Sequence, residues 1–192
     1  MMKQIIEDMI KTHQQLLDRF EESGIDAVVG AAEMLTESLK KSGCVYLCGN
    51  GGSAADCQHI AGEFVGRFRR EGRALPAVAL STDTSVLTCI GNDYNFVDIF
   101  ARQVDALVKG NDVLWAFSTS GFSNNVIAAA KSAKQKGAKI IAFTGKLNSE
   151  LEKMADTCLC IDSPQTSSAQ EIHQLAYHII CNLVEQQFVE VK

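Results

Sequence analysis

Two prolines and a single tryptophan stand in a chain of 192 residues. So little proline, with a mean hydropathy of +0.02, excludes a linker-rich or disordered chain. Long apolar runs are missing as well. None approaches the roughly 18 consecutive apolar residues of a membrane-spanning helix, so no membrane partner is expected. The first residues, MMKQIIEDMIKTHQQLL, hold no continuous apolar stretch of the kind a secretory leader needs, and a cytoplasmic location is the expectation. A basic excess is absent too: 18 Lys and Arg against 23 Asp and Glu give a net charge of −5. That balance gives no support for a nucleic-acid partner. The densest basic stretch, Arg67-Phe68-Arg69-Arg70 with Arg73 close by, reads as a solvated helix end, or else as a local anion site or subunit contact. Seven cysteines occur but no CxxC pair, so neither a zinc knuckle nor a redox pair follows. Most lie in apolar runs such as CVYLC and TCLCI, as buried free thiols of a reducing compartment do.

What is present is an ordinary globular balance, 46% hydrophobic and 21% charged. A chain of this length suits one domain and can bury a core without staples. Its first 40 residues carry apolar positions at helical spacing. Ile5, Ile6, Met9, Ile10, Leu16, Leu17 and Phe20 form one run, Ser23-Gly24 interrupts it, and Val28 to Leu39 form another. Two helices are expected there, an arm over about 1–41 whose stripes would pack on other subunits. Beyond them the pattern changes. CVYLCG (44–49), AVALS (77–81), VLWAFS (113–118), KIIAFTG (139–145) and CLCID (158–162) are short and apolar, with polar residues or glycine after them. Helical patterns lie between and after them, at 53–69, 96–108, 123–136 and 169–188. Alternating strands and helices imply βαβ units, and near-continuous apolar strands imply a sheet covered on both faces. The expected fold is α/β: a three-layer, doubly wound fold with a five-stranded parallel sheet, in one domain spanning 1–192.

In such a sheet, ligands bind beyond the carboxyl ends of the strands. Two loops at those ends are unusual. Cys48-Gly49-Asn50-Gly51-Gly52-Ser53 joins a strand to a helix, and its glycines let backbone N–H groups approach an anion at a helix N-terminus. It matches neither GxGxxG nor a P-loop, and it reads equally as a tight turn capped by Ser53. Ser118-Thr119-Ser120-Gly121-Phe122-Ser123 brings four hydroxyls to a second strand–helix junction, which favours a phosphate cradle. Ser123 can also serve simply as an N-cap.

Among titratable residues, His59 and Glu63 share one helix face four residues apart. The pair reads as a metal-binding HxxxE arrangement or as a surface i,i+4 pair. Its neighbours Ile60, Ala61, Phe64 and Val65 make the helix apolar on most sides, where a carboxylate needs a partner. The last helix supplies candidates in His173 and His178, each being a core residue or a ligand. Gly91-Asn92-Asp93 reads as a loop whose Asp93 contacts a sugar hydroxyl or serves as a turn or cap.

Taken together, CGNGGSAADCQH with Glu63, STDTS, GNDYNF, STSGFSNNV, FTGK and QEIHQLAYH resemble the SIS (sugar isomerase) domain family over nearly the whole chain. They are most similar to its heptose-phosphate isomerase branch. The resemblance implies an aldose–ketose isomerase that converts D-sedoheptulose 7-phosphate to D-glycero-D-manno-heptose 7-phosphate through an enediol(ate). This would be the first step of nucleotide-activated heptose biosynthesis for lipopolysaccharide core or capsule. It implies zinc held by His59, Glu63, Gln170 and His178, with Glu63 and His178 as the acid/base pair. It implies substrate contacts from Asn50, Gly51, Gly52, Glu63, Asn92, Asp93, Ser118, Thr119, Ser120, Ser123 and Gln170. It also implies a homotetramer with active sites at subunit interfaces. A relative that regulates a replication initiator shares the fold and several motifs but lacks the glutamate and the last histidine. Both are present here, which favours an enzyme over a non-catalytic regulator. Two departures from the family pattern are Ser168-Ala169 before Gln170 and Asn148-Ser149 after FTGK.

Overall fold

The computed structural model describes residues 1–189. Five strands, β1 (Val45–Cys48), β2 (Ala77–Ala79), β3 (Val113–Ser118), β4 (Lys139–Thr144) and β5 (Thr157–Cys160), form one sheet in the order β2-β1-β3-β4-β5. Every pairing is parallel. This is the expected doubly wound sheet.

The strands are apolar throughout because both faces are covered. Alternate side chains point to opposite sides. Val113, Trp115 and Phe117 join the core on one face, and Leu114 and Ala116 join the core on the other. Trp115, Phe117, Leu114, Ile141 and Phe143 are all no more than 1% exposed. Burial of each such large side chain contributes about 1.5–3 kcal/mol. The first face carries α1 (Met2–Ser23), α2 (Ile25–Lys40), α3 (Gly52–Val65) and, from the far end of the chain, Thr166–Glu185. The second carries α4 (Thr84–Asp93), α5 (Asp98–Leu107), α6 (Asn124–Gln135) and α7 (Glu150–Met154). The Thr166–Glu185 helix is α8.

The chain passes from β1 to β2 on one side, then returns to place β3 on the other side of β1. The direction of winding therefore reverses between β1 and β3, where an open α/β sheet forms its crevice. The Gly loop follows β1 and the serine loop follows β3. Topology alone sets the two candidate loops side by side.

Several boundaries differ from expectation. The helix expected to run to residue 69 stops at Val65, and the chain after Gly66 turns back along α8. Helix α7 follows a capping box in which Ser149 and Glu152 satisfy each other's backbone N–H groups. That use of Ser149 accounts for one departure in sequence. Of the seven free cysteines only Cys48, Cys57 and Cys181 are buried, and Cys89 is exposed. In α1 only Leu16 is buried, while Ile5, Ile6, Met9 and Ile10 are 53–58% exposed.

Candidate active site

The Gly loop is shaped by two glycines. Gly51 has φ 56° and ψ −122°, a conformation that a side chain resists. A Cβ on Gly52 would collide with the Gln170 carboxamide, so that glycine lets α8 approach. Ser53 does not cap the helix: Gly51 holds the N-cap position of α3, without a side-chain bond. Asn50 reaches across the crevice to Asn125 in the first turn of α6. Each carboxamide donates to the other's oxygen, at 2.8 and 2.7 Å.

The serine loop is folded around Ser118. Its Oγ accepts from the backbone N–H of Gly121 at 3.1 Å and donates to Ser123 Oγ at 3.0 Å. Ser120 Oγ lies 3.3 Å from Ser118 Oγ and accepts from Phe122 N–H at 3.2 Å. Ser123 stands at the N-cap position of α6, yet its hydroxyl makes no cap bond. The loop thus gathers hydroxyls beside an uncapped helix N-terminus, which suits an anion. Thr119 is partly buried in the same turn, its carbonyl oxygen packed close to Gly145.

Helix α3 runs beside α8, and one face of each carries polar groups. His59 Nε2–H donates to Glu63 Oε1 at 2.9 Å, and His178 Nε2 lies 3.4 Å from His59 Nε2. Donor atoms of His59, Glu63 and His178 all lie within 4.8 Å of one another. Two imidazole nitrogens and a carboxylate converging on one point is a donor set for a divalent cation with an open position. Burial, and next the neighbouring His59, hold His178 below its ordinary pKa of 6.5, while Glu63 pulls the other way. His178 is therefore neutral near neutral pH, as a ligand or base must be.

Gln170 and His178 are eight residues apart, about 12 Å along a regular helix. Helix α8 starts at Thr166, so Gln170 sits inside it. Its Nε2 donates to Asp56 Oδ2 at 2.9 Å. Tyr177 OH donates to the other oxygen, Oδ1, at 3.4 Å. The chain brings His59, Glu63 and His178 together and directs the amide nitrogen of Gln170 at Asp56; among the described residues nothing donates to its oxygen. Burial pushes the Asp56 carboxyl above the usual carboxylate range, against the pull of both hydrogen bonds.

Asn92 and Asp93 are not in a loop. They form the last turn of α4, because the helix that starts at the Asp83 cap continues to Asp93. Asn92 Nδ2 donates to Asp93 Oδ1 at 2.8 Å, and both residues are exposed. Among the described residues no hydrogen bond joins either to the loops or to the histidine cluster. Asp56, Asn125 and Tyr177 went unnoticed in sequence. Asp56 lies three residues before His59 and seven before Glu63, so helical spacing was the available signal.

Comparison with known proteins identifies the family and the fold. The family described as the SIS domain matches residues 9–145. A phosphoheptose isomerase of Roseiflexus sp. (strain RS-1) is 45% identical over 183 residues, covering 95% of this chain and 93% of that protein. A phosphoheptose isomerase structure from Neisseria gonorrhoeae superimposes with a TM-score of 0.91 at 38% identity, covering 97% of this chain and all of that one. One from Francisella tularensis gives 0.93 at 32% identity, covering 97% and 99%. The chain belongs to the SIS domain family, and within it to the phosphoheptose isomerases, which are sugar-phosphate isomerase enzymes.

Proposed function

We propose that the chain is a zinc-dependent isomerase that interconverts D-sedoheptulose 7-phosphate and D-glycero-D-manno-heptose 7-phosphate. The observation that carries this reading is the convergence of Glu63 and His59, on the helix that follows the Gly loop, with His178 of α8. The hydroxyl-rich loop at the other strand end of the β1/β3 crevice suits the distal phosphate of the same substrate.

Ketose–aldose isomerisation moves one proton between adjacent carbons and one between their oxygens. Glu63 takes the proton from C1 of the ketose and returns it to C2. Its Oε1 faces His59 and would be the oxygen turned toward the metal, which leaves Oε2 for the carbon. His178, neutral at working pH, carries the proton between O1 and O2. Ser118, Thr119, Ser120 and Ser123 bind the phosphate, and that remote binding positions the reacting end. Asn50, Gly51 and Gly52 line the crevice between the two, and Asn92 and Asp93 contribute sugar contacts from the end of α4. His59, Glu63 and His178 would hold the zinc in place of the His59–Glu63 hydrogen bond, with the carboxamide oxygen of Gln170 as fourth ligand. Bound there, the metal supplies Lewis-acid polarisation of the substrate carbonyl.

The same reading takes the protein to be a homotetramer with shared sites. The uncovered stripe of Ile5, Ile6, Met9 and Ile10 supports it, being an apolar surface in want of a partner. Glu63→Gln tests the chemistry: turnover of sedoheptulose 7-phosphate is expected to fall at least about 10²-fold with an unchanged circular dichroism spectrum. Near-normal turnover would end the base assignment. Metal analysis of protein prepared without chelators, with activity lost on chelation and restored by zinc, tests the cofactor.

A further inference from the structure

One carboxylate folds the segment after α3 back onto α8. Glu185 Oε1 accepts from three successive backbone N–H groups, Phe68 at 3.0 Å, Arg69 at 2.8 Å and Arg70 at 2.9 Å. Its second oxygen lies 3.6 Å from Arg70 Nη1, and the same Nη1 donates to Asn182 Oδ1 at 2.9 Å. Three consecutive donors on one oxygen form an anion nest, here filled from within the chain. The Glu185 side chain is only 12% exposed, so these charge-assisted bonds are little screened. Residues 68–70 of the basic run are therefore an anchored strap beyond the end of α3, although Arg67, Arg69, Arg70 and Arg73 stay exposed.

The anchor has a consequence at His178. The strap places the Phe68 ring almost parallel to the His178 imidazole, with centroids 5.5 Å apart and 17° between planes. The Arg69 guanidinium carbon sits 5.0 Å from the Phe68 centroid. Tyr177 meets His178 edge-on at 4.7 Å. An imidazole stacked in this way resists rotation about its ring bond, and that rotation would carry Nε2 away from His59.

We propose that Glu185 is a positioning residue: by anchoring residues 68–70 it holds Phe68 against His178, and so fixes the direction in which His178 presents Nε2 to His59 and Glu63. The catalytic part rests on the isomerase reading above; the geometric part does not. The test uses the full-length, metal-free protein labelled with ¹³C-histidine, its four histidines assigned by single substitution. In the wild type the ring current of Phe68 shifts the His178 Hε1 resonance upfield. Glu185→Ala is expected to return it toward the free-imidazole position. In the zinc-loaded enzyme the same substitution should lower kcat about tenfold or more while KM stays near its wild-type value. Glu185→Gln, which keeps an acceptor oxygen, should fall between the two. Phe68→Leu leaves the anchor intact and should reproduce both effects, and Phe68→Tyr should restore both. Should Glu185→Ala not fold, the Phe68 pair decides alone. An unchanged His178 resonance and kcat in Phe68→Leu, or in a folded Glu185→Ala, overturns the proposal. A wild type that isomerises no sugar phosphate overturns its catalytic part together with the isomerase reading, while the resonance still decides the anchoring.

Discussion

His173 is a core residue of α8 whose protonation state couples stability to pH. It is 1% exposed, and its Nε2–H donates to the Thr144 carbonyl at 2.9 Å. Phe143 packs against the ring at 5.2 Å between centroids. Burial pushes the imidazole from 6.5 down to about 4, against the pull of the carbonyl bond. The folded protein thus keeps His173 neutral, while the unfolded chain takes up a proton near pH 6.5. Between these values the unfolded state binds more protons, so stability falls as pH falls. The contribution is complete above about pH 6.5 and is lost on acidification through about pH 4. At about 1.4 kcal/mol per pH unit, the gap amounts to roughly 3 kcal/mol. His173→Gln removes the titration and keeps a donor for Thr144. Urea unfolding of wild type and variant, in chelator, at about one-unit steps from pH 7.5 to 4.5, measures the difference. The variant should carry a constant penalty near pH 7, about 1–2 kcal/mol for disturbed packing. Toward acid the wild type should lose most of roughly 3 kcal/mol more than the variant does. Parallel stability curves would refute the reasoning.

Other consequences are as direct. If His178 carries the proton as proposed, it must be neutral, and burial chiefly holds it below 6.5, so the acid limb of kcat/KM should turn below that value; a limb turning above it contradicts the assignment. A Cβ on Gly51 meets no neighbour, yet φ is 56°. Gly51→Ala should therefore cost about 1–3 kcal/mol through backbone strain alone, read as a lowered Tm. Asp56→Asn should destabilise by about 1–3 kcal/mol, because only one of its side-chain atoms can still accept from Gln170 and Tyr177; an unchanged melting curve would show that those bonds contribute nothing.

The sheet was legible because each strand is a short apolar run between polar breaks, and parallel strands covered on both faces leave that mark. Both loops stood out as clusters of glycine or serine at strand–helix junctions, although the Gly loop taken alone read equally as a tight turn. His59 and Glu63 were visible as an i,i+4 pair. Their meeting with His178 was anticipated through the family resemblance and not from spacing, since 115 or more positions separate them in the chain. Contacts of that range are set by tertiary packing. The Asn50–Asn125 pair, the hold of Asp56 on Gln170 and the grip of Glu185 on residues 68–70 are all of this kind. Helix α7 was overlooked although Ser149-Glu150-Leu151-Glu152 carries a capping-box signature. Its five residues are too few for helical periodicity to appear.

The reversal of winding between β1 and β3 also has an electrostatic consequence. Helices α3 and α6 both start at the carboxyl edge of neighbouring strands, so two positive helix ends open into one crevice. The chain as a whole carries −5 and repels an approaching anion at long range. At moderate salt that repulsion is screened beyond about 10 Å, which leaves the helix ends to dominate the field inside the crevice. Added salt should then weaken the distant repulsion more than the local attraction. A phosphorylated sugar would then be drawn to the place where two strands part, against the net charge of the chain as a whole.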